Sequence, residues 1–288
     1  MLNHIRPILA INMITAIMLL ISSCAQHHEH THHNTLSKPF EVTMMHNTPT
    51  TVGKEYTGYV RIKDSHTGEA VSAEDVSVTH TEKMHFFIVD NALTHYQHVH
   101  PHETDQPGTY EYRFTPTSPL PYTLWGELKR KGHDDTEYIK VDIPHNGLVT
   151  SSNIPNIPST SAENASLSAQ WIEDAPLTVG QGTHVAVKLT DKKGNPIEQL
   201  DTIMGAKAHM AGFDKNAQHF VHVHPMENSD PSLLEFHVAP EHAGMTKFFL
   251  QVKYQGKEIY LPFSRMVQQT QQFSERAQED THSHSMQR

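Results

Sequence analysis

The chain of 288 residues has one cysteine, two tryptophans and no long apolar run beyond its first two dozen residues. A single cysteine excludes an intrachain disulfide, so any metal site must draw on His, Met and carboxylate ligands. Charged residues make up 19% and apolar ones 36%, a composition that is soluble but not strongly driven to collapse. Basic residues are too few for nucleic acid: 22 Lys and Arg stand against 32 Asp and Glu, a net charge of −10. There is no Ser-His-Asp pattern, phosphate-binding glycine loop or nucleotide fingerprint, and the chain is not read as an enzyme. What it has instead is histidine, 25 residues of it.

The start reads as a secretion signal over residues 1–23. Met1–Arg6 is a short n-region with one Arg, and Ile8–Leu20 is apolar apart from Asn12 and Thr15. Ile21-Ser22-Ser23-Cys24 resembles the bacterial lipoprotein box, in which the Cys is lipidated and becomes the mature N-terminus. That resemblance predicts a lipid anchor on Cys24 and attachment to the cell envelope. With Ala25 next, it implies outer-membrane sorting, facing the periplasm, in a Gram-negative cell. Residues 24–39 then form a His-rich tether (His27, His28, His30, His32, His33), too polar to build a core. Residues 268–288 are Gln-rich and charged and read as a disordered tail.

The rest is organised around a repeat. Lys83–Pro101, KMHFFIVDNALTHYQHVHP, aligns with Lys207–Pro225, KAHMAGFDKNAQHFVHVHP, at an offset of 124 without a gap. Eight of nineteen positions are identical, four of them histidine: His85/His209, His95/His219, His98/His222 and His100/His224. Each copy reads as a β-hairpin, with β-branched and aromatic runs on either side of turn residues centred on Asn91-Ala92. That turn would set Val89 opposite Thr94 and His85 opposite His98, with His100 beside His98 on the same face. Three imidazoles then converge as a metal with nitrogen ligands at ~2 Å requires. The same counting predicts a second site from His209, His222 and His224. His95 and His219 have the opposite strand parity and are read as outer residues. Met84 and Met210, beside the first histidines, point to the other face and into the core.

The likeness between the halves extends past the hairpins. Thr51-Val52-Gly53 matches Thr178-Val179-Gly180, and Val60–Asp64 matches Val187–Asp191. Short strands with turns at regular spacing, and no convincing helix, indicate an all-β chain of two tandem immunoglobulin-like β-sandwich domains, residues 40–143 and 167–267. The Pro-, Ser- and Asn-rich stretch 144–166 between them reads as a flexible linker.

The hairpin run from Met84 to Pro101, together with Val187-x-Leu189-x-Asp191-x-x-Gly194-x-Pro196-Ile197, resembles secreted bacterial immunoglobulin-like domains of the YtkA/FixH-like kind. The resemblance implies a sandwich fold and an association with copper handling or oxidase assembly. Copper is the expected ion, with zinc as the alternative, since both accept imidazole. The expected role is storage, buffering or delivery to a metallochaperone or metal-receiving envelope protein. The competing expectation is a metal-free interaction or adhesion module whose histidines are structural or pH-responsive. If each hairpin builds its own site, two ions should bind independently. The first domain should be tighter, because Ala208, Ala211 and Gly212 replace bulky residues in the second copy.

Overall fold

The computed structural model describes residues 39–46, 48–79, 81–146, 157–226 and 230–270, without the side chains of His222 and His224. Cys24, the tether up to residue 38 and the tail from residue 271 lie outside the described residues; Gln268, read as the start of the tail, instead bridges Thr178. Among those described, no helix is long and apolar enough to cross a membrane.

Among the described residues, sixteen antiparallel strands and two three-residue 3-10 turns make up the fold. The first domain contains β1 (Phe40–Met44), β2 (Tyr56–Asp64), β3 (Met84–Asp90), β4 (Tyr96–Val99), β5 (His102–Glu103), β6 (Thr109–Phe114), β7 (Tyr122–Leu128) and β8 (Glu137–Ile143). They form two four-stranded sheets, β1-β2-β6-β5 and β4-β3-β7-β8. Alternation drives the sandwich: in β2 the even positions Tyr56, Val60 and Ile62 are buried while their neighbours are partly exposed. Their core meets Phe86, Ile88, Leu124 and Leu128 from the facing sheet. Val76 and Thr79 make isolated bridges outside the named strands.

The second domain contains β9 (Ser161–Glu163), β10 (Leu167–Glu173), β11 (Thr183–Asp191), β12 (Ala208–Phe213), β13 (Phe220–Met226), β14 (Leu233–Val238), β15 (Gly244–Tyr254) and β16 (Lys257–Val267). They run as one eight-stranded sheet, β16-β15-β12-β13-β14-β11-β10-β9. It curls around its own core until Ser159 bridges Ser264. Here β13 runs unbroken from β12 to β14, whereas in the first domain the chain breaks after Val99 and β5 takes the second partner. β9 falls inside the stretch read as linker, because Ser161–Glu163 pairs with Ser168–Gln170.

The linker is not all that joins the domains. A third core, distinct from the two sandwich cores, is built from Phe87, Val89, Leu93, Tyr96 and Trp125 of the first domain and Ala211, Phe213, Ala217, Phe220 and Phe249 of the second. These ten residues are five pairs, each separated by the repeat offset of 124. The two hairpins therefore dock through one shared patch about an approximate twofold axis, as in an isologous dimer. The contacts are reciprocal. Tyr96 stacks on Phe249 at 5.1 Å between ring centroids, and its counterpart Phe220 stacks on Trp125 at 5.8 Å. Leu93 and Ala217, at equivalent positions of the two hairpin loops, are both left-handed, with φ of 54° and 50°. Each offers its carbonyl to the other domain, Leu93 to Lys247 Nζ at 2.6 Å and Ala217 to Trp125 Nε1 at 3.1 Å.

Candidate metal centre

The histidines sit at one edge of this docked patch. In β3 all seven residues are buried: Met84, Phe86 and Ile88 face the first sandwich core, and His85, Phe87 and Val89 face the second domain. The hairpin register differs by two residues from the turn-centred expectation. Val89 pairs with Tyr96 and Phe87 with His98, so His98 stands two residues along from His85, and the same count brings His100 opposite His85. The reason is the loop: Asp90 N–H reaches His95 O, and the Asp90 carboxylate collects Thr94 N–H, Thr94 Oγ1 and His95 N–H. Asp90 thereby holds a longer loop than a two-residue turn. An even shift preserves strand parity, so His85, His98 and His100 still share a face. The second copy shifts by the same amount, with Met210 paired to Val223 and Ala211 to His222.

His85, His98 and His100 each offer a ring nitrogen, all within 4.8 Å of one another. His85 Nδ1 lies 3.1 Å from His98 Nε2. Two ligands at ~2.0–2.1 Å around a tetrahedral ion stand about 3.3 Å apart, so little movement separates this contact from a coordinated pair. His85 Nε2 is held by Thr79 O at 2.9 Å, which makes Nε2 the donor and Nδ1 the acceptor nitrogen. Carbonyl-anchored imidazoles of this kind are typical around bound metals. His98 Nδ1 and His100 Nε2 are buried without a hydrogen bond. Such atoms are expensive to leave unsatisfied: an ion would take up His100 Nε2, while His98 Nδ1, across the ring from the nitrogen that meets His85, falls to Gln251 or an ordered water. The cluster is compatible with metal binding.

His209 joins them from the second domain. Its ring lies 4.8 Å from His98, against 5.3 Å between His85 and His98 and 5.1 Å between His98 and His100. His209 Nε2 is held by Ile203 O at 3.0 Å, at the position equivalent to Thr79. Thr79–Glu82 and Ile203–Ala206 are matching tight turns, and they touch: Thr81 Oγ1 donates to Met204 O at 3.3 Å. Behind the rings, His85 pairs with Glu127 and His209 with Gln251, again at equivalent positions. Gln251 Nε2 donates to Tyr260 OH at 3.1 Å. Its amide also closes on His98, although neither His98 Nδ1 nor Gln251 Oε1 makes a bond of normal geometry.

These surroundings keep the His98 and His100 rings neutral, as ligation requires. Burial pushes His98 well below the usual imidazole range, and the His209, His85 and His100 rings add to the shift. Burial, then His85 and His209, lowers His100 to about 4. Glu82 stands 3.7 Å from His100 Nδ1 at the rim. His222 and His224 lie on β13 with only their backbone described. His95 bonds Tyr122 OH at 2.9 Å, and His219 turns to Asp214 at 2.5 Å and stacks on His242. Met84 and Met210 lie in the sandwich cores. His209's closeness to His98, and Gln251 and Glu127 behind the rings, are what the sequence reading missed.

A family model described as a domain of unknown function (DUF8832) matches residues 22–144 and 163–269. The chain belongs to this family. The two DUF8832 regions each contain one sandwich, and the family description assigns no activity. No curated protein matches the chain. Solved structures similar to it include the Lin-41 filamin domain, at 14% identity over 35% of this chain and 91% of that one, TM-score 0.27. Domains 4 and 5 of the S-layer protein SbsC are 16% identical over 81% of this chain and 98% of theirs, TM-score 0.23. MtrC from Shewanella baltica OS185 is 9% identical over 80% and 70%, TM-score 0.24.

Proposed function

We propose that this protein holds a transition-metal ion, copper first and zinc as the alternative, for storage, buffering or delivery in the cell envelope. The observation that carries the reading is the convergence of three imidazoles, two buried and one partly buried, whose ring nitrogens lie within 4.8 Å of one another. Nitrogen ligands without thiolate suit copper and zinc and disfavour magnesium and calcium. The likeness of the hairpin to YtkA/FixH-like domains favours copper. The lipoprotein-like Cys24 supports an envelope location, with the membrane reached through a lipid anchor and a metallochaperone or metal-receiving protein as partner.

A metal-free interaction module is the second reading, and one contact favours it: the 3.1 Å approach of His85 to His98 also serves as an N–H···N bond inside a structural cluster. Metal analysis separates the two. The soluble form lacking residues 1–24, purified without chelators and offered copper and zinc, should retain one of them after dialysis. Loss of that ion in the His85→Ala variant would support the reading. A metal-free protein that resists loading would overturn it.

A further inference from the structure

We propose that the chain builds one composite metal centre closed across the domain interface, with His85, His98 and His100 supplied by the first domain and His209 by the second. The inference rests on the metal-binding reading and changes what that reading predicts: one ion per pair of domains instead of one ion per hairpin.

Three observations carry it. His209 stands as close to His98 as the first domain's own histidines stand to one another, 4.8 Å against 4.8–5.3 Å between ring centroids, so its ring adjoins the three-histidine group across the domain border. His209 is also prepared as a ligand in the same manner as His85. Each donates Nε2–H to the carbonyl of an equivalent turn, Ile203 or Thr79, and each therefore presents Nδ1 as its acceptor. Finally, the border is a packed surface. Ten buried residues and two hydrogen bonds from side chain to backbone cross-link the hairpins beside the site.

Four nitrogens complete a tetrahedral ion, which is the geometry of a site that retains its metal. Delivery then requires the domains to part, because His209 leaves with the second domain. The ion and the docked interface stabilise one another by linkage.

The test uses the full chain and Cu(I), handled anaerobically and titrated against a competing Cu(I) chelator so that loosely held ions are stripped. One retained ion per chain is expected. His85→Ala should abolish it, and His209→Ala or His209→Gln should weaken it at least ~10-fold, the lower end of what loss of a supporting group costs a metal site. Near-ultraviolet circular dichroism from Trp125 checks that each variant keeps its docked fold. Two retained ions, lost separately in His85→Ala and His209→Ala, would overturn the composite centre and leave the metal-binding reading standing. So would unchanged affinity in a folded His209→Ala chain. A retained ion indifferent to both variants would sink the metal-binding reading itself. The unmutated chain supplies a readout that no folding defect confuses. Exchange of the Trp125 indole N–H, which crosses to Ala217 O, should slow at least ~10-fold with Cu(I) bound. Equal exchange with and without Cu(I) would overturn the pinning of the domains.

Discussion

Where the first hairpin is bulky at the interface, the second is small, and the reverse. Phe87 corresponds to Ala211, and Val89 to Phe213; all four are buried in the shared core. At an approximate twofold axis a surface must fit a copy of itself. Two phenylalanines at the first position would compete for one space, and two alanines would leave a void. The divergence of the copies resolves this, as Phe87 reaches across to Phe220 at 4.8 Å while Ala211 yields room. The small residues of the second copy are therefore not signs of looser packing. Ala211 has no exposed surface, and a Cβ on Gly212 would come within 2.6 Å of Phe248. The expectation that the second hairpin is the poorer half is corrected by this complementarity.

Swapping the sizes is the strongest way to break the comparison. Phe87→Ala should cost ~3–5 kcal/mol by cavity formation, read from urea unfolding. Ala211→Phe should cost ~1–3 kcal/mol by overpacking. The double variant restores total volume with the large residue moved to the other domain, and should recover part of the loss. Two single variants that each change stability by less than ~0.5 kcal/mol, the range of plain surface sites, would mean that the hairpins do not dock through this patch.

The next effect is smaller and depends on pH. His98 and His100 are held below the ordinary imidazole value, His100 at about 4 against 6.5, with burial the leading cause. The unfolded chain takes up these protons near pH 6.5 and the folded chain only at lower pH. The metal-free fold is thus at full stability above about 6.5 and weakens as the pH falls towards about 4. Asp64, lowered to about 2 by backbone bonds from Thr67 and His66, titrates below that window and does not obscure it. Urea midpoints between pH 7.5 and 4.5 should fall in the native chain and fall less in His100→Gln. An unchanged midpoint would mean that these rings are more hydrated than their burial indicates.

Much of this was legible in the sequence, and the rest was hidden for physical reasons. The two sandwiches follow from alternation and turn residues, and the face shared by His85, His98 and His100 follows from parity alone. Parity survived a two-residue error in register, because pairing shifts by even steps without turning a side chain over. The register itself was lost because Asp90 holds its loop through carboxylate bonds that turn statistics do not register. Docking left a signal that was not used. MHFFIVD in β3 is apolar on both parities, the pattern of a strand covered on both faces, where a sandwich edge facing water would alternate. That His209 approaches His98 could not be read at all, since it depends on how two domains meet.

The smallest expected effect tests whether every matched histidine belongs to the centre. His95 and His219 are as well matched between the copies as His85 and His209, yet they face away from the cluster. His95 bonds Tyr122 OH at 2.9 Å, and that hydroxyl also accepts from Ser118 N–H at 3.0 Å and Thr117 N–H at 3.2 Å. Removing the imidazole therefore leaves Tyr122 with partners, and His95→Ala should cost about 1 kcal/mol, one ordinary hydrogen bond. His219 pairs with Asp214 near the surface, where such contacts contribute less, so His219→Ala should cost less again. Copper affinity should be unchanged in both variants, measured by the same chelator competition that weakens His209→Ala. A loss of affinity in His95→Ala comparable to that in His209→Ala would show that repetition in the sequence, and not position at the interface, marks the ligands.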